Sequence, residues 1–161
     1  MPRTGTTGNI RVGYLAAVTD PTAPVVADFS GEVRLDTFML RNGLSVPRSG
    51  QTVDVSDAAD RQDKAAPGTK GGNTLTYRGH HDPQGTDTAY DTLAEDVAGY
   101  IYVRRGKDCD VAIASGDVVE LYPIDVNSRS QADNGENVAT TFEAICTIPA
   151  ASYQGLVVAA S

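Results

Sequence analysis

The chain has 161 residues, with 21 acidic against 13 basic side chains and a formal charge of -8. This length fits one folded domain, residues 1–161, and the acidity excludes ordinary nucleic-acid binding, which draws its affinity from cations at phosphates. No window approaches the roughly 18 consecutive apolar residues of a membrane-spanning helix, and Met1-Pro2-Arg3-Thr4-Gly5 lacks the apolar core of a signal peptide, so a soluble chain with no membrane insertion is expected.

Residues 1–9 are rich in Gly and Thr and are expected to form a flexible arm. Ile10 to Val18 is apolar enough for a first strand, whereas Pro21 and Pro24 disfavour regular structure from Asp20 to Ala27. From Glu32 to Phe38, Val33, Leu35 and Thr37 alternate with charged neighbours, the pattern of a half-buried strand. Residues 45–72 are the least globular stretch: Pro47, Gly50, Pro67, Gly68, Gly71 and Gly72 punctuate it, and Asp54, Asp57, Asp60, Arg61, Asp63 and Lys64 lie between them. A polar connection of this length inside a small domain is expected to be functional or disordered, with a short strand from Thr52 to Ser56 inside it.

Asn73 to Gly79 alternates cleanly and sets Leu75 and Tyr77 against Thr74, Thr76 and Arg78. The spacing of Ala89, Tyr90, Leu93 and Val97 predicts one helix over Asp87 to Val97, capped by Thr88 with Asp91 and stopped by Gly99. Strands follow at Tyr100 to Arg105 and Val118 to Val126, with Pro123 marking a bulge or an edge. The last long strand, Asn137 to Ile148, places Val138, Phe142, Ala144, Cys146 and Ile148 on a core face and Asn137, Thr141, Glu143 and Thr147 on a wet one. Between these two strands the polar run Ser128 to Glu136, with Asn134-Gly135, reads as a hairpin tip.

Candidate chemistry is sparse. Arg78-Gly79-His80-His81-Asp82 holds two histidines and an aspartate, but neighbours on a strand point to opposite faces, so the cluster reads as a solvated strand-to-helix turn rather than a metal site. No G-x-S-x-G occurs, and Lys70-Gly71-Gly72 does not complete a phosphate loop. Asp91, Glu95 and Asp96 read as a solvated helix face. Cys109 and Cys146 form no C-x-x-C pair and are expected as reduced thiols, with Cys146 in the core. Arg104-Arg105 with Lys107 is the only cationic run, expected to meet a neighbouring subunit. No catalytic site, metal or cofactor is therefore expected, and no enzyme.

The order of elements resembles that of the tail tube, or major tail, proteins of siphophages, which are related to the tubes of contractile tails and of type VI secretion. The resemblance is carried by the segments 43–56, from Gly43-Leu44-Ser45-Val46-Pro47 to Val55-Ser56, and 99–106, Gly99-Tyr100-Ile101-Tyr102-Val103-Arg104-Arg105-Gly106. The segments 116–124, from Gly116-Asp117-Val118 to Pro123-Ile124, and 140–144, Thr140-Thr141-Phe142-Glu143-Ala144, add to it. It implies a mainly β fold, a two-sheet sandwich or barrel with one helix, a long extended loop and terminal arms. It also implies rings of six copies stacked into a tube that conducts double-stranded DNA without binding it specifically, a place in the virion tail, and assembly in the host bacterial cytoplasm. Tape measure, tail tip and terminator proteins would be its partners. On this reading Thr141, Glu143 and Thr147 line the bore. Asp54, Asp57, Asp60, Arg61, Asp63 and Lys64 belong to an inter-subunit loop spanning 45–72, and Arg104 and Arg105 lie at a subunit interface. Other phage structural parts, such as a head decoration or tail terminator protein, share this acidic β-rich character. A ligand-binding β-sandwich is disfavoured by the absence of tryptophan.

Overall fold

A computed structural model describes residues 8–46, 49–54, 65–71, 74–82, 85–132, 139–150 and 152–160. The strands in chain order are β1 (Ile10–Leu15), β2 (Val33–Arg34), β3 (Met39–Ser45), β4 (Ser49–Asp54), β5 (Ala65–Gly71), β6 (Thr74–His80), β7 (Ala98–Arg105), β8 (Val118–Ala132), β9 (Thr141–Thr147) and β10 (Tyr153–Val157). One short helix, α1 (Thr88–Thr92), and a 3-10 turn, Val26–Phe29, complete them. Eight strands form one antiparallel sheet in the order β2-β1-β7-β8-β9-β6-β3, with β10 added to β8, while β4 and β5 pair with each other as a separate hairpin.

The period of two along each strand gives this sheet two apolar faces. On β7, Ile101 and Val103 join the larger core with Val12, Leu75, Ile124, Phe142 and Cys146. Tyr102, between them in sequence, points to the opposite face and packs with Leu15, Phe29, Val119, Leu121 and Val158. The 3-10 turn therefore roofs the second core, and Phe29 meets Tyr102 edge to face at 5.1 Å. Each of these fully buried large side chains stabilises the fold by about 1.5–3 kcal/mol relative to exposure.

Two tyrosines lie over glycines on the β1–β7 ladder. Gly13 is the register partner of Tyr102, and a Cβ on Gly13 would stand 2.5 Å from the Tyr102 ring. A Cβ on Gly99 would likewise stand 2.5 Å from the Tyr14 ring, whose hydroxyl donates to the Ala98 carbonyl at 2.7 Å. Bare backbone at these two points lets large aromatic rings lie flat on the sheet and fill the space a side chain would take.

Several elements depart from the sequence reading. The first strand ends at Leu15, and the strand expected from Glu32 to Phe38 contracts to Val33–Arg34, because Asp36 to Phe38 turn the chain into β3. The helix is only Thr88–Thr92, and its cap is Asp87, whose carboxylate accepts from the Tyr90 amide at 3.1 Å. Leu93 keeps the apolar spacing and is fully buried, but the chain has already left the helix there, and Gly99 lies within β7. Glu95 and Asp96 are consequently off the helix; Asp96 takes a left-handed conformation (φ 63°) and returns the chain to β8 through its amide bond to the Val126 carbonyl.

β8 runs on to Ala132, so Ser128 to Ala132 are strand and not hairpin tip, while residues 133–138, including Asn134-Gly135 and Val138, lie outside the described residues. Pro123 pairs with Tyr100 on one side, and on the other it falls in the gap between the β10 partners, which end at Leu121, and the β9 partners, which begin at Asp125. The ladder irregularity of β8 lies between Val126 and Ser128, so Pro123 marks a local edge within a central strand and not the bulge.

Candidate functional site

In the absence of a catalytic pattern, the surfaces able to meet other molecules are the candidates. The first is the outer face of β6 and β9. Their register pairs Thr74 with Thr147, Arg78 with Glu143 and His80 with Thr141. Direct cross-strand partners share a face, so Thr141, Glu143 and Thr147 stand together with Thr74, Arg78 and His80, opposite the buried Phe142, Ala144, Cys146 and Ile148. Arg78 donates through Nε to the Glu143 carboxylate, and both side chains remain open to solvent. β8 extends this face, with Ser130 beside Glu143 and Asp125 beside Thr147. The two-sided reading of the last strand holds from Thr141 to Ile148 except at Ile145, an apolar residue on the open face opposite Thr76 and Ser128.

The second surface is the β4–β5 hairpin. Where a long connection was expected, the chain forms a two-stranded ladder with Asp54 opposite Ala65 and Ser49 opposite Gly71. Asp57, Asp60, Arg61, Asp63 and Lys64, between the strands, lie outside the described residues, as do residues 1–7 of the expected amino-terminal arm.

The cationic run divides. Arg105 is exposed and meets Glu120 at 2.5 Å. Arg104, expected beside it at a subunit interface, is turned into the subunit: its side chain is 2% exposed, and its guanidinium donates to the carbonyls of Asp108, Val111 and Ala112 and to Asp117 at 3.1 Å. The reason is strand alternation, which sends neighbours to opposite faces. Burial pulls the Asp117 carboxyl upward, but bonds from Lys107, the Ala114 amide and Arg104 outweigh it and hold the group below its ordinary value. Arg11 makes a similar inward set, to Glu32, the Tyr102 hydroxyl and the Cys109 carbonyl. Sequence reasoning missed both anchors; the signal present was a lone arginine at position 11 inside an apolar strand.

His81 and Asp87 come together in a buried pair, with Nδ1 and Oδ2 2.7 Å apart. Asp87 also accepts from the amides of Asp82 and Tyr90, so its carboxylate is committed to holding this turn. Tyr90 stacks on His81 at 4.1 Å and carries the Arg129 guanidinium over its ring at 3.7 Å, which ties the helix to the far end of β8. Asp91, Glu95 and Asp96 do not converge, and Glu95 instead accepts from the Arg129 amide. Among the described residues, Asp108, Cys109 and Asp110 are the group whose potential ligand atoms lie close together, and Asp110 there is paired with Arg34. Burial pushes the Cys146 thiol up to about 12, the state of an inert core cysteine.

A mostly β subunit with a large antiparallel sheet, one small helix and a hairpin set apart from the sheet has the fold of phage tail tubes. Over residues 1–161 the sequence matches the family described as phage tail tube protein, and the chain belongs to that family. No curated protein sequence matches it. Among solved structures, it is similar to the sheath/tube terminator of an extracellular contractile injection system, PVC, with a TM-score of 0.63 at 12% identity, covering 95% of this chain and 97% of that one. The SPP1 tail tube gives 0.62 at 10% identity over 98% of this chain and 81% of that one. The tail of a gene transfer agent particle gives 0.54 at 13% identity, covering 95% and 98%. The chain is thus a structural tail protein, a tail tube component of phage or phage-like particles.

Proposed function

We propose that this chain is the repeating subunit of a tail tube, six copies closing each ring and stacked rings enclosing a bore through which double-stranded DNA leaves for the host. The observation that carries the reading is the two-faced β6–β9 pair: one face is committed to the core, and the other is mostly polar, with threonine hydroxyls and the Arg78–Glu143 pair around the half-buried Ile145. A conduit for DNA needs such a surface, wet and not cationic overall, because each uncompensated lysine or arginine would hold a phosphate and retard passage. Thr141, Glu143 and Thr147 then line the bore. The β4–β5 hairpin and the exposed Arg105 serve contacts between copies. Tape measure, tip and terminator proteins complete the tail, which is assembled in the host bacterial cytoplasm.

Electron microscopy of the purified, concentrated protein tests the reading. Six-fold rings and stacked tubes are expected. Isolated subunits, or closed oligomers that never stack, would overturn it in favour of a head decoration or terminator role.

A further inference from the structure

We propose that residues 153–160 are a strap that lifts from the subunit and closes on it again as a single unit while the rest of the fold stays intact. β9 and β10 follow one another along one edge of β8, because β7 takes the other edge from Val119 to Asp125. The β9 partners stop at Asp125 and the β10 partners resume at Leu121, and the break falls at Pro123, which has no amide to give a ladder. β10 is thus separated from the continuous ladder of β8 and β9. Its own pairing is irregular as well, with a register shift between Tyr153 and Leu156, where Gly155 takes a positive φ of 67°.

Burial divides the chain in the same place. Among the described residues, the larger core takes no member from 153–160. The strap gives Val158, 1% exposed, to the second core and lays Tyr153 and Leu156 partly buried against it, while Val157 stands 60% exposed. One fully buried side chain and a short ladder are a small hold, and segments held in this way open locally at a lower cost than global unfolding. Beyond the ladder, four backbone bonds clasp the end of the strap on two sides. Val158 donates to the Asp117 carbonyl and accepts from the Gly116 amide, and Ala159 donates to the Pro24 carbonyl and accepts from the Val26 amide. Both neighbours keep their own hold on the body when the strap leaves. Phe29 packs on Tyr102 and Asp28 takes the Val25 and Thr19 amides, while Arg104 holds the 106–117 segment by its carbonyls. Lifting therefore bares the β8 edge from Val118 to Leu121 and the second core beneath it, and leaves the larger core closed.

Residue-resolved hydrogen exchange on the dilute full chain, followed through low urea concentrations, tests the unit. The amides of Val26, Gly116, Val158 and Ala159 belong to three separate stretches of sequence, yet all four bond across the clasp. They are expected to share one protection factor and one urea slope, with protection more than about ten-fold below that of Leu35 and Val126, whose amides bond to Val12 and Val97 in the body. Val158→Ala is expected to lower the protection of all four by a common factor of about ten, the scale of two buried methylene-sized groups. Ile101→Val, in the larger core, is expected to lower the protection of Leu35 and Val126 about five-fold and to leave the four clasp amides unchanged, because the contact it weakens survives in the open state. Four unequal protection factors in the parent would mean independent fraying and overturn the strap. A fall of the clasp amides in Ile101→Val, or protection in the parent equal to that of Leu35, would mean that the segment opens only with the whole subunit, and would overturn it equally.

Discussion

Arg11 and Arg104 face each other as register partners on the β1–β7 ladder, and both guanidinium groups donate to the carbonyl of Val111, at 3.3 and 2.7 Å. Two like charges side by side in a nearly buried position would ordinarily repel. Here each has its own carboxylate, Glu32 for Arg11 and Asp117 for Arg104. Other donors of the two groups reach the carbonyls of Asp108, Cys109, Val111 and Ala112, and the segment 106–117 is thereby fastened to the sheet through its own backbone. The outward side chains of Asp108, Asp110 and Val111 are left in solvent on a firm base.

Replacing Arg104 by methionine leaves Asp117 and three loop carbonyls without their buried donor. Breaking one partner of a buried ion pair costs about 3 kcal/mol or more, which for a chain of this size corresponds to a fall in Tm of roughly 6–12 °C. Arg105→Met, one residue on and exposed, is expected to stay within about 0.5 kcal/mol of the parent. Calorimetry of the two variants side by side measures the difference, and equal melting temperatures would contradict the inward placement of Arg104.

Asp117 also gives a pH dependence of known sign. Its folded pKa lies below the unfolded one, so between the two values the unfolded chain binds more protons and stability rises with pH. The contribution is complete above the unfolded value of about 3.9 and is lost as pH falls through the folded value. Asp28 shifts the same way: burial raises it, but bonds from Val25 and Thr19 prevail. Urea midpoints between pH 5 and pH 2 should therefore fall for the parent, and fall less steeply for Asp117→Asn. Parallel curves for parent and variant would refute the assignment.

The glycine beneath Tyr102 should be intolerant of even one methyl group. Gly13→Ala brings a Cβ within 2.5 Å of the ring and is expected to destabilise by about 1–3 kcal/mol through overpacking. Gly31→Ala, where a Cβ meets nothing within 4 Å, is the control and should be neutral or slightly stabilising. Chemical denaturation of both variants decides the matter.

The two faces of β9 separate folding from the transport role proposed above. Glu143→Lys gives up an exposed ion pair and places a second cation beside Arg78, at a cost of up to about 1 kcal/mol. If Glu143 faces the bore as proposed above, folding and assembly should survive while plaque formation drops, because cations repeated along that bore would hold passing phosphates. Phe142→Asp, its immediate neighbour, buries an unpaired carboxylate among Tyr77 and Tyr90 and should abolish folding. Unfolded Glu143→Lys beside well-formed Phe142→Asp tubes would invert the assignment.

β6 and β9 were legible in the sequence because a period of two leaves little choice of face, with Ile145 the exception on β9, and β7 was legible as a short apolar run buried on both faces. β3 was not, since Arg41-Asn42-Gly43 interrupts its apolar pattern where the ladder shifts register between Met39 and Leu44. Helix length was over-read because Leu93 sits at the right spacing for a core position that the chain fills after leaving the helix. The fate of Arg104 illustrates a more general blind spot. A run of adjacent cations looks like one patch in a sequence, but on a strand it divides between interior and surface, and the acceptors that draw Arg104 inward are backbone carbonyls, which no residue type announces.

The closure of β1 on β7 constrains how the subunit comes into being. Ile10 pairs with Arg105 and Leu15 with Tyr100, so the first strand synthesised has no neighbour on that side until nearly two-thirds of the chain has emerged. Loop closure over such a span is slow relative to local pairing. During translation the β7 side of β1 is therefore held open until the chain has been extended through Arg105. A ribosome stalled before β7 thus releases a fragment whose apolar β1 has only the two-residue β2 beside it, and which is fit for proteolysis rather than for incorporation.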